Sequence, residues 1–166
     1  MSRNKMTKDT VPQDFTLSLA VVDAVPVLFF GASMIVAGVL FKSVLFITGA
    51  ALCLFAGAAK VIWKIIVVLK KKNIWWMFMQ MRTLMPVGML MMIAGGIMCR
   101  GNVDFSLFIR LPAVIFFALG VLGMVMMTVF AFSLDSSDLK SNWIEQLTNG
   151  FAQICFFAGL LCTVLR

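Results

Sequence analysis

The sequence predicts an all-α, polytopic integral membrane protein, a bundle of five transmembrane helices with the N-terminus cytoplasmic and the C-terminus outside. Three observations predict it. Of 166 residues, 62% are hydrophobic and only 13% charged, with mean hydropathy +1.04; a soluble domain is about half apolar and a quarter charged. The apolar residues fall into five runs, each reaching the ~20 residues, at ~1.5 Å per residue, that a ~30 Å hydrocarbon layer requires. The basic residues are distributed unevenly between the two ends of those runs.

Residues 1–15 are polar and basic and read as a cytoplasmic segment; residues 16–166 read as a single membrane domain. The first span covers about 16–40 and ends at Phe41-Lys42-Ser43. It is longer than a signal-peptide core and carries Asp23, so it reads as uncleaved. The second, 44–69, ends at Lys70-Lys71-Lys72-Asn73, and the third, 74–99, at Arg100-Gly101-Asn102. Within the third, residues 74–81 have an alternative: they could lie along the interface, anchored by Trp75 and Trp76. The fourth span, 105–134, ends at Asp135-Ser136-Ser137-Asp138, which reads as a capped turn. The fifth is 141–165. Short connections favour antiparallel neighbours.

With five spans, Arg3, Lys5, Lys8, Lys60, Lys64, Lys70, Lys71, Lys72, Arg82 and Lys140 lie toward one side, and Lys42, Arg100, Arg110 and Arg166 toward the other. The ten-to-four split sets the orientation. Trp63, Trp75, Trp76 and Trp143 fall near the same cytoplasmic boundary and read as an aromatic belt. The charge of +7 is thereby assigned to topology and lipid headgroups, not to nucleic acid.

Composition also narrows the chemistry. There is no histidine and no tyrosine, which removes His-ligated haem, most catalytic zinc sites and His-based triads. Cys53, Cys99, Cys155 and Cys162 make no C-x-x-C pair. The fourteen methionines form no ordered array leading from a polar entrance. No cofactor, metal or catalytic motif is expected, and the chain does not read as an enzyme.

The most specific signal is a stripe on the fifth span. Asn142, Glu145, Gln146, Asn149 and Gln153 fall within an arc of roughly 100° on one helix face, which turns apolar at Phe156 and Leu160. Lipid cannot hydrogen-bond such a face, so it should meet other helices or a water-filled cavity. A second group is placed to converge at one depth: Asp23, Lys60, Lys64, Arg82 and Glu145. The plain alternative has Lys60, Lys64 and Arg82 snorkelling to headgroups, as expected for Lys64 and Arg82, with Asp23 in one structural pair. The candidate pocket residues are therefore Asp23, Lys60, Arg82, Asn142, Glu145, Gln146, Asn149 and Gln153.

Pro26, Pro86 and Pro112 each follow a charged residue closely and, inside helices, would free the carbonyls of Val22, Arg82 and Phe108, although Pro112 reads more simply as lying near a helix start, where proline is welcome. Gly49, Cys53 and Gly57, and likewise Cys155, Gly159 and Thr163, form small-residue faces for close packing. Cys99 and Cys162 end the third and fifth spans on the same side and are a disulfide candidate, against the alternative of four free thiols.

The function expected is a small carrier, channel or solute-binding membrane subunit with a polar pocket in the cytoplasmic half. The alternative is a non-catalytic subunit or scaffold of a larger membrane complex. An enzyme acting on an amphipathic substrate is a distant third. Expected partners are membrane lipids, a small polar solute or ion, and another copy or a membrane-complex subunit. The expected location is the cell membrane.

Overall fold

Apolar runs of 20 or more residues fold as helices because each backbone N–H and C=O then finds its partner within the run. A computed structural model of the chain, describing residues 16–134 and 139–165, shows six helices and no strand among those residues. They are α1 (Leu17–Phe41), α2 (Val44–Lys70), α3 (Trp75–Met98), a 3₁₀ turn at Arg100–Asn102, the short α4 (Ser106–Ile109), α5 (Ala113–Ser133) and α6 (Leu139–Val164). All but α4 are long and apolar enough to cross a membrane. The segment 1–15, the turn 135–138 and residue 166 lie outside the described residues.

Local chemistry sets the ends. The Thr16 hydroxyl accepts from Leu19 N at 3.2 Å and the Ser43 hydroxyl from Phe46 N at 3.3 Å, capping α1 and α2. Both helices stop at a lysine in the left-handed region, Lys42 (φ 50°) and Lys71 (φ 49°), whose N–H groups return to Gly38 O and Val67 O. Helix α3 is continuous from Trp75, so residues 74–81 do not form a separate interfacial segment. The expected fourth span, 105–134, is divided: α4 and α5 are separated by Arg110-Leu111-Pro112. Proline has no N–H to continue a helix but is welcome at its start. Pro112 therefore opens α5 and frees no mid-helix carbonyl at Phe108, whereas Pro26 and Pro86 lie inside α1 and α3.

The bundle runs in the spatial order α3–α2–α1–α6–α5, and α4 rests on α5 and α6. Small residues set the seams. At α2–α3, a side-chain carbon at Gly88 would stand 2.6 Å from Gly49 O and 2.6 Å from Cys53 Sγ, and one at Gly95 would stand 2.6 Å from Phe46 N. The backbones there meet with no room for a methyl group. Gly57, on the same sequence stripe, faces α1 instead, at Val27. At α5–α6, the Phe156 ring covers Gly120 and the Phe117 ring covers Gly159. Both small-residue faces thus pack within the chain. A shared core joins Ala37, Phe46, Ala50, Cys53, Met92 and Leu160.

Two expectations are corrected here. Trp63 is not part of an exposed belt; it is 1% exposed, packed on Phe78 with ring centroids 5.2 Å apart, and its Nε1 donates to Asn73 Oδ1 at 3.1 Å. The Cys99–Cys162 disulfide is not formed. All four cysteines are free, and the helix order sets α2 and α1 between α3, which ends beside Cys99, and α6, which carries Cys162.

Candidate functional site

Polar groups gather where α1 and α6 begin and α2 ends. Helices α1 and α2 run antiparallel, with Gly38 against Ile47, Gly31 against Leu54 and Val27 against Gly57. Continuing that pairing brings Asp23, the seventh residue of α1, level with Lys64, seventh from the end of α2. The Lys64 ammonium lies 2.9 Å from Asp23 Oδ2, and both side chains are buried. That ammonium is the oxygen's only partner among the described residues. Lys64 does not snorkel; its four methylenes carry the charge across the seam. Lys60, one turn earlier, and Glu145 of α6 lie within electrostatic reach of it.

Arg82 does not join this group. It is exposed on α3, its guanidinium 5.4 Å from the Phe78 ring centroid, and α2 stands between it and α1. The three rings Trp63, Phe78 and Trp75 pack in sequence beside it, so Arg82 serves this aromatic cluster by a cation–π contact.

The α6 stripe divides between two neighbours. Gly150 faces Val25 and Pro26 of α1. One turn earlier on the same face is Gln146, which is buried, and its Oε1 has no hydrogen-bond partner among the described residues. Gln153 turns the other way: its Nε2 donates to Met124 Sδ of α5 at 3.7 Å, a weak acceptor. Asn142, Glu145, Asn149 and Gln153 are half-buried. The turn Asp135-Ser136-Ser137-Asp138 that precedes α6 lies outside the described residues, and Ser141 sits within the helix.

A further polar residue, Gln80, was not anticipated. It is buried on the α3 face that also carries Gly88, Met92 and Gly95, and its Nε2 donates across the seam to Ala56 O at 3.4 Å. The signal was available: Gln80 stands eight residues before Gly88, on the same helical face.

The two most pronounced cavities are elsewhere. One, of about 530 Å³, lies between α1, α2 and α3 near Arg100; the other, of about 280 Å³, lies between α5 and α6 beside Leu147 and Phe151. No stripe residue lines either one. Among the described residues no group of three or more Cys, Asp or Glu is placed to hold a metal ion. Comparison with known proteins found no matching family model, no matching curated protein and no matching solved structure.

Proposed function

We propose that the chain is a non-catalytic, membrane-embedded helical subunit that holds a partner protein through the polar face of α6, with its N-terminus in the cytoplasm. The observation that carries this reading is the state of that face. Gln146 is buried with an unpartnered oxygen, and Glu145, Asn149 and Gln153 are half-exposed and line neither of the two cavities described above. Half-exposed amides on an apolar helix need donors and acceptors that lipid does not offer. A second membrane helix laid along α6 supplies them.

A carrier or channel is the second reading. It is favoured by one feature: four charged groups, Asp23, Lys60, Lys64 and Glu145, meet near one seam, and charges inside a helical membrane domain commonly mark solute or proton pathways.

Thiol labelling separates the two. Single cysteines, Asn149→Cys and Gln153→Cys, are placed in a chain whose own four cysteines are replaced by alanine. In inside-out vesicles a membrane-impermeant maleimide leaves both unlabelled when α6 is covered by protein, and labels both after detergent strips the partner. Labelling in intact vesicles is the outcome for a water-filled pocket and sinks the subunit reading.

A further inference from the structure

The 530 Å³ groove lies within the ~300–1,000 Å³ range of ligand sites. Its walls come from Met34 and Phe41 of α1, Phe46 of α2, and Met92 and Gly96 of α3, with Arg100 at one end. The lining is otherwise wholly apolar. Along α3 the groove reaches from Met89 to Ile97, about 12 Å at ~1.5 Å per residue, with Arg100 in the 3₁₀ turn just beyond. That approaches the depth of one leaflet, about half of a ~30 Å hydrocarbon layer.

The aromatic wall is braced. Phe41 stacks on Phe46 with centroids 5.2 Å apart and packs on Phe105 at 6.4 Å. Asn102 Nδ2 donates to Phe41 O at 2.9 Å, which ties the turn carrying Arg100 to the end of α1. Gly96 opens the floor: a side-chain carbon there would meet only the rings of Phe41 and Phe46, at 3.8 to 3.9 Å, and would project into the groove without a backbone clash.

Arg100 is exposed at the mouth and makes no ion pair among the described residues. The nearest acid in sequence, Asp104, is engaged elsewhere: it accepts from Ser106 N at 3.0 Å, and hydrogen bonds from the Ser106 side chain and backbone hold its carboxyl below the usual carboxylate range. A cation that makes no ion pair among the described residues thus stands at the end of an apolar trough. We infer that this groove seats one anionic phospholipid, an acyl chain lying against Phe41, Phe46, Met92 and Gly96 and its phosphate paired with the Arg100 guanidinium. Arginine suits phosphate because its planar fork binds two oxygens at once. The site rests on membrane embedding but not on what covers α6.

Native mass spectrometry of the purified full chain in detergent, titrated with phosphatidylglycerol or phosphatidylcholine, tests it. The wild-type chain retains one phosphatidylglycerol about tenfold more tightly than phosphatidylcholine. Arg100→Gln abolishes that preference, weakening phosphatidylglycerol much more than phosphatidylcholine, whose phosphate is already neutralised by its own choline. Gly96→Leu, which fills the trough, weakens both lipids at least fivefold. Inorganic phosphate does not compete. Equal affinity for the two lipids in the wild type, an unaltered preference in Arg100→Gln, undiminished binding in Gly96→Leu, or displacement by phosphate alone would each overturn the assignment. A wild-type chain that runs as a dimer lacking lipid, and becomes monomeric on Gly96→Leu, would give the groove to a second copy instead. Circular dichroism melts of both variants show whether they are folded. These readouts are independent of the labelling at Asn149 and Gln153, so either idea fails without the other.

Discussion

Helices α2 and α6 both carry polar side chains within an apolar chain, yet they treat them differently. On α2, Lys64 meets Asp23, Trp63 meets Asn73, and the Ala56 carbonyl accepts from Gln80. Each reaches an element on one side or the other of α2, and the glycines at Gly49 and Gly88 close the α3 seam to backbone contact. On α6, Gln146 has an acceptor with no donor, and Gln153 is left with a thioether. The α2 groups named find partners within the chain, although Gln80 Oε1 beside them is buried without one among the described residues; on α6 the amides that lack good partners are more numerous, and those beyond Gln146 are half-exposed. A polar residue in a membrane helix therefore indicates a contact, but only the neighbour's chemistry says whether that contact is internal.

The largest expected effect breaks the closed side of this comparison. Asp23→Asn leaves a buried ammonium without its counter-charge and should lower stability in detergent by ~3–5 kcal/mol. Adding Lys64→Met removes the stranded charge and should recover most of the loss. Thermal unfolding of the two single variants and the double variant measures this, and strict additivity would rule out the pairing.

Next in size is a pair of substitutions with opposite signs. Gly88→Val places carbon where Gly49 O and Cys53 Sγ already stand, 2.6 Å away. Forcing the seam apart should cost about 1–3 kcal/mol, or more because backbone must move. Gln146→Leu removes an unpartnered buried acceptor and should leave the isolated chain unchanged or about 1 kcal/mol more stable. On the proposed reading it is Asn149→Leu, at a half-exposed position, that should reduce co-purification of a partner from native membranes. Equal losses from Gly88→Val and Gln146→Leu in detergent would erase the distinction between the two helices.

The smallest effect concerns helix ends. Lys42 and Lys71 hold the left-handed conformation, which costs a residue bearing a Cβ ~1–2 kcal/mol. Gly at either site should raise stability by up to ~1 kcal/mol, since part of the gain is offset by losing a favourable charge at a helix C-terminus. A fall in melting temperature at both sites would mean the charge outweighs the strain.

The helix positions were legible because length and apolarity suffice to mark a helix able to cross a membrane. So was the common depth of Asp23 and Lys64, which follows from counting inward from the turn that joins their helices. Which lysine pairs with Asp23 was not legible. Lys60 and Lys64 lie one turn apart on one face, and only the stagger of α1 against α2, set by Gly31, Gly38 and Gly57, selects Lys64. Spatial order was hidden for a deeper reason: where core and lipid faces are both apolar, periodicity no longer reports which side of a helix meets a neighbour. Cys99 and Cys162 share an end of the chain's membrane layer by topology alone, and topology does not say that α1 and α2 lie between. The division of the fourth span at Pro112 was readable from proline chemistry, but the apolar residues on both sides concealed it.

The order α3–α2–α1–α6–α5 also has a temporal meaning. Chains emerge from the ribosome N-terminal end first. The hairpins α1–α2 and α2–α3 join neighbours in sequence and can assemble as they are made. Helix α5 cannot: its long-helix neighbour is α6, which is synthesised after it. Until α6 arrives, α5 waits in the bilayer, and the flank of α1 that α6 will cover stays bare. A ribosome stalled before residue 139 leaves a three-helix unit and an orphan, without the polar face of α6. Packing of the chain is thereby coupled to translation having passed α6: an incomplete chain can neither seat α5 nor cover that flank of α1.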